Sequence, residues 1–123
     1  MALLPGHVYV APADYHLLVE AGSLALSTDA PVGHSRPSVD VLFESAALAY
    51  GAGVVGVILT GANADGTRGA ATIKARGGLV LAQEPATAES MAMPAAAIGA
   101  GAVDRVLPLP AIAKYLAGLA YGR

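Results

Sequence analysis

Residues 54–59 read Val-Val-Gly-Val-Ile-Leu, with none of the polar alternation expected of a half-exposed strand. A short, continuous apolar run rich in β-branched residues is the mark of a strand buried on both faces. A polar, glycine-rich loop follows at residues 60–66. Residues 67–76 carry a helical pattern closed by Gly77-Gly78, and residues 79–82 form a second short apolar strand. Strand, helix and strand with a short return make a βαβ unit, which requires parallel strands and a right-handed crossover.

The flanking segments extend this frame. Residues 7–11 (His-Val-Tyr-Val-Ala) are β-rich and stopped by Pro12, so a strand is expected there. Apolar runs at 17–20 and 24–27 around Ala21-Gly22-Ser23 predict an antiparallel hairpin. A Pro- and Gly-containing loop at 29–37 leads into a helix from Pro37 to about Tyr50, with Val39, Leu42, Phe43 and Ala46 on one face. Beyond the βαβ unit, a short helix beginning at Met93-Pro94, a strand at 103–107 and an amphipathic helix at 110–119 complete the chain. The expected fold is α/β: a doubly wound, mainly parallel sheet with helices on both faces and an added antiparallel hairpin. With so few parallel strands, one strand of interior type is expected at a sheet edge, where hydrophobic strands are normally covered.

The chain has 123 residues, one domain's worth at most. Hydrophobic residues make up 55% of it, mostly Ala, Val and Leu, with no Trp. Small side chains of this kind suit helices lying close to a sheet. A net charge of −2, with seven dispersed Lys and Arg, excludes a broad basic footprint, so no nucleic acid partner is expected. Cysteine is absent, which excludes disulfides, thiolate metal sites and a cysteine nucleophile. The run at 54–59 is far short of the ~20 residues of a membrane span, and no basic segment precedes a long apolar stretch near Met1. No membrane insertion, no cofactor and a cytoplasmic location are expected.

Two clusters could carry chemistry. The loop Thr60-Gly61-Ala62-Asn63-Ala64-Asp65-Gly66 lies at the carboxyl end of a buried strand, where ligands and catalytic groups collect in open α/β sheets. Asp65 is its only acid. By local physics it caps the helix that follows, accepting that helix's free N–H groups; a phosphate cradle is disfavoured by the missing lysine and glycine spacing. The second cluster, Gly33-His34-Ser35-Arg36-Pro37-Ser38-Val39-Asp40, holds Ser, His and Asp together. Adjacent His34 and Ser35 do not converge as triad members must. It reads as a structured loop with Ser35 or Ser38 near a helix start and Asp40 in the first helical turn. His7 and His16 have no metal-ligand spacing, Glu84 and Glu89 are loop acids, and Met91 and Met93 fill core gaps.

Taken together, six blocks in order and spacing resemble the catalytic domain of CheB-type protein-glutamate methylesterases, most closely the stand-alone form. They are residues 5–12 (Pro-Gly-His-Val-Tyr-Val-Ala-Pro), 14–19 (Asp-Tyr-His-Leu-Leu-Val), 36–43 (Arg-Pro-Ser-Val-Asp-Val-Leu-Phe), 56–66 (Gly-Val-Ile-Leu-Thr-Gly-Ala-Asn-Ala-Asp-Gly), 83–88 (Gln-Glu-Pro-Ala-Thr-Ala) and Met93-Pro94. The resemblance implies a serine esterase that hydrolyses glutamyl methyl esters on the cytoplasmic helices of chemoreceptors. It assigns the triad aspartate to Asp65 and brings the backbone around Gly61 and Ala62 near the oxyanion. The family's serine, in a GxSxGG turn, and its histidine, in a Gln-His segment, have no counterpart in these residues. Residues 1–123 are thus expected to be the C-terminal part of an incomplete catalytic domain, inactive alone and partnered by the missing N-terminal part of that domain. The alternative is a non-catalytic receptor-binding or assembly module of the same fold.

Overall fold

A computed structural model describes residues 1–61 and 64–121. Two antiparallel strands, β1 (His16–Glu20) and β2 (Ser23–Ser27), form a hairpin in which Glu20 pairs with Ser23. Gly22, at φ +78°, takes the left-handed conformation that a two-residue hairpin turn demands. Helix α1 (Val39–Tyr50) packs along this hairpin. Two bonds fasten it there: the Val19 N–H donates to Ser45 Oγ at 2.9 Å, and the Gly22 N–H to the Tyr50 hydroxyl at 2.7 Å.

The second sheet is the predicted parallel one. Strands β3 (Val55–Ile58), β4 (Leu79–Gln83) and β5 (Arg105–Leu107) lie in that order, and α2 (Thr67–Ala75) connects the first two. Helices α3 (Ala92–Gly99) and α4 (Leu109–Tyr121) flank β5 in sequence. Pairing of Gly56 with Val80 and of Ile58 with Ala82 puts these four residues on one face. There the core forms from Phe43 and Ala47 of α1, Ala70 and Ile73 of α2, and Ala97 of α3. Leu81 points to the opposite face and is fully buried, and α4 packs against β4 with its Ile112 buried.

Small residues set the layer spacing. A Cβ on Gly56 would lie 2.8 Å from Ile73 Cδ1, and one on Gly69 would lie 2.6 Å from Phe43 Cβ and 3.1 Å from Asp40 Cα. The two glycines let α1 and α2 settle against each other and against β3, bringing the two helix N-termini side by side.

The fold class stands as expected, and element bounds shift by a residue or two. Two differences have physical causes. Residues 7–11 form no strand: Val8 and Val10 are 91% and 84% exposed, and among the described residues no strand lies alongside to complete a ladder. Helix α1 starts at Val39, because Ser38 is its N-cap and accepts the Val41 N–H; Pro37 precedes the cap instead of occupying the first turn. Strand β3, although of interior type, sits at the edge of the three-stranded sheet, as strand counting predicted.

Candidate active site

The carboxyl end of β3 feeds the loop that carries Asp65. In place of capping α2, which that loop opens, the Asp65 carboxylate turns to the N-terminus of α1. Its Oδ1 accepts the Ser38 hydroxyl at 2.9 Å and the Asp40 N–H at 3.0 Å, and its Oδ2 accepts the Val39 N–H at 2.6 Å. The free N–H groups of a first helical turn carry the positive end of the helix dipole, so a carboxylate there is doubly favoured.

Asp40 returns the arrangement. It is 8% exposed, and its Oδ1 accepts the Gly66 N–H at 3.1 Å and the Gly69 N–H at 2.7 Å. Gly66, the N-cap of α2, has no side chain to serve that helix. Each helix is therefore capped by the acid of the other. Local spacing predicted neither link, because the partners lie 25 to 29 residues apart.

His16 supports this junction from below. It is 1% exposed; its Nδ1 accepts the Ser38 N–H at 3.2 Å, and its Nε2 lies 3.0 Å from the Ala30 carbonyl. This geometry places the ring proton on Nε2. Sequence reasoning gave His16 no role. The one available signal was its place beside Leu17 at the inward-facing start of a strand.

A second clamp fixes the start of the loop. The Gly61 N–H donates to the Ser90 carbonyl at 2.9 Å, and the Met93 N–H to the Gly61 carbonyl at 3.1 Å. Thr60 Oγ1 bonds Ser90 at both its carbonyl and its N–H, and the Thr60 N–H donates to Oε1 of the buried Gln83 at 3.2 Å. The Gly61 N–H is thus engaged by Ser90, and Gly61 serves chiefly to let Met93 approach: a Cβ there would lie 2.7 to 2.9 Å from Met93 atoms. Ala62 lies outside the described residues.

The other candidates do not join the site. His7 is exposed, 2.9 Å from the Pro5 carbonyl and stacked on Tyr9. His34 occupies a turn at φ +68° between Val32 and Ser35. Glu84 and Glu89 are exposed. Met93 packs on the core, whereas Met91 is 56% exposed and fills no gap. Across the two helices, Glu44 bonds Arg68 at 2.6 Å and raises the guanidinium pKa, with smaller help from the charges of Asp40 and Asp65. Among the described residues, no helix is long and apolar enough to cross a membrane.

Val32, Gly33, Asp40, Ala64 and Asp65 line a cleft of about 250 Å³, so Asp65 stands at a concave surface at the carboxyl end of the sheet. Against known proteins, the CheB methylesterase family model matches residues 1–116. The chain belongs to the CheB methylesterase family. It is 53% identical over 119 residues to protein-glutamate methylesterase/protein-glutamine glutaminase 3 of Anaeromyxobacter dehalogenans, covering 95% of this chain and 35% of that protein. A relative from Leptospira interrogans is 52% identical over 110 residues, covering 89% of this chain and 57% of its own length. The crystal structure of the Thermotoga maritima CheB methylesterase catalytic domain superposes with a TM-score of 0.92 at 36% identity. That match covers 97% of this chain and 65% of the Thermotoga chain. The chain thus spans about a third to two-thirds of the length of these proteins.

Proposed function

We propose that residues 1–123 form the C-terminal part of a serine esterase that hydrolyses glutamyl methyl esters on chemoreceptor helices, with Asp65 as the acid of its Ser-His-Asp triad. The observation that carries this is Asp65 itself. It sits in the family's TGxxxDG loop after β3, beside a cleft, with three donors from α1 restraining its carboxylate. An acid so held can orient a histidine and stabilise the imidazolium formed as a serine attacks the ester carbonyl. In the first step the serine Oγ bonds to the carbonyl carbon and its proton passes to the histidine. Methanol then departs with that proton, and water releases the glutamate carboxylate from the acyl-enzyme. The same attack on a glutamine side chain would release ammonia, matching the second activity in the Anaeromyxobacter relative's name.

The serine and histidine would come from sequence outside these residues, because neither GxSxGG nor the Gln-His segment occurs within them. The backbone of the loop around Gly61 and Ala62 is the part of this chain we assign to the neighbourhood of the oxyanion. The test is methanol release from methylated chemoreceptors by the full-length protein that carries this segment. Asp65→Asn should lower kcat by about 10⁴-fold, the scale set by other serine hydrolase triads, and residues 1–123 alone should release none. Turnover by residues 1–123 alone would refute this division of labour. Receptor binding with no turnover by the full-length protein would favour a non-catalytic module.

A further inference from the structure

We infer that Asp40 is a positioning residue for Asp65, acting on it from both sides through the backbone of the two helices. This rests on Asp65 being the triad acid. The Asp40 N–H donates to Asp65 Oδ1 at 3.0 Å, and the Asp40 carboxylate accepts the N–H of Gly66, the next residue in the chain. Its bond to Gly69 at 2.7 Å carries the restraint one turn into α2. One buried residue thus fixes both the carboxylate and the chain direction immediately after it. The contact is unyielding, because Asp40 Cα and its carbonyl lie 3.1 and 3.2 Å from where a Cβ on Gly69 would be. A shift of α1 against α2 therefore moves Asp65.

An ordinary helix cap would stabilise α2 and nothing more. Asp40 differs because, besides the backbone N–H to Asp65 Oδ1 that any substitution keeps, its carboxylate fixes the N–H of Gly66, the residue joined to Asp65. Losing it should cost turnover rather than substrate binding. A misplacement of about 1 Å at a catalytic group can cost about 100-fold in rate.

The experiment uses the full-length protein, with kcat and KM from methanol release normalised to the folded fraction. Asp40→Ala should lower kcat roughly 10- to 100-fold and leave KM within about twofold. Asp40→Asn keeps an oxygen able to accept both N–H groups and should recover most of the rate. Asp40→Glu, which keeps the charge but displaces that oxygen, should not. Combined with Asp65→Asn, Asp40→Ala should add little, because residues acting as a unit are non-additive; a purely structural cap would cost the same in both backgrounds. Unchanged kcat in Asp40→Ala, or full additivity with Asp65→Asn, overturns the inference alone. Should Asp40→Ala not fold, the decision passes to Asp40→Asn and Asp40→Glu: equal rates overturn it. Full activity in Asp65→Asn removes the triad assignment and the inference with it.

Discussion

Replacing Asp65 by Asn should destabilise the protein, and the sign of that change tests whether the residue caps α1. Among the described residues, the carboxylate presents two acceptor oxygens to three donors, Ser38 Oγ, Val39 N and Asp40 N. An amide has one such oxygen. In the better orientation the oxygen keeps Ser38 and Asp40, and the NH₂ group faces the Val39 N–H, formerly 2.6 Å from Oδ2. A lost charge-assisted hydrogen bond costs about 1.5–3 kcal/mol, and losing the charge at a helix N-terminus costs about 0.3–1 kcal/mol more. Asp65 is only half-buried, and Ser38 Oγ still caps Val41, so the low end applies: about 2 kcal/mol. At this size each kcal/mol lowers Tm by roughly 3–5 °C, giving a drop of roughly 6–10 °C by circular dichroism. Residues kept purely for catalysis often leave a protein more stable when replaced. An Asp65→Asn variant that melts at or above the wild-type temperature would refute the cap.

Three further outcomes are expected. Gly69→Ala gains about 1 kcal/mol of helix propensity but forces a Cβ to 2.6 Å from Phe43 Cβ; overpacking costs about 1–3 kcal/mol, so urea melts should show net destabilisation. Gly118→Ala in α4, with nothing within 4 Å, should stabilise by about 0.5–1 kcal/mol; the same sign for both variants would contradict the packing described. His16→Phe orphans the buried Ser38 N–H and removes the bond to Ala30, so a loss of about 2–4 kcal/mol is expected from equilibrium unfolding. Wild-type stability in that variant would show that the ring acts only as filler.

What could be read from the sequence was what local physics controls. The apolar run at 54–59 announced β3 because burial on both faces leaves no polar alternation. Ala21-Gly22 announced the hairpin because few residues tolerate that turn. Residues 7–11 failed as a strand because pairing is not local: Val-Tyr-Val has the composition, yet Val8 and Val10 face outward. The cross-capping was invisible for the same reason. Asp65 sits where a cap for α2 belongs, and no spacing rule reports that a second helix start, 25 to 27 residues earlier, has come close enough to claim it. Gly69 was the hidden clue, since a glycine inside a helix that loses propensity by it often marks a close contact.

The cap and the proposed triad role do not compete at Asp65. A triad acid serves by holding a direction, and an aspartate on a surface loop would rotate about χ1 and χ2. Donors from one rigid helix, reaching both oxygens at 2.6 to 3.0 Å, remove that freedom. The α1 N-terminus rests in turn on His16 through Ser38, and α1 is bound to the hairpin through Ser45 and Tyr50. The hairpin lies far from Asp65 in sequence, yet it is the base on which the Asp65 carboxylate is held. With Asp65 as the proposed triad acid, substitutions that loosen α1 on the hairpin should lower kcat without touching the cleft, as expected where catalysis depends on a pre-organised supporting shell.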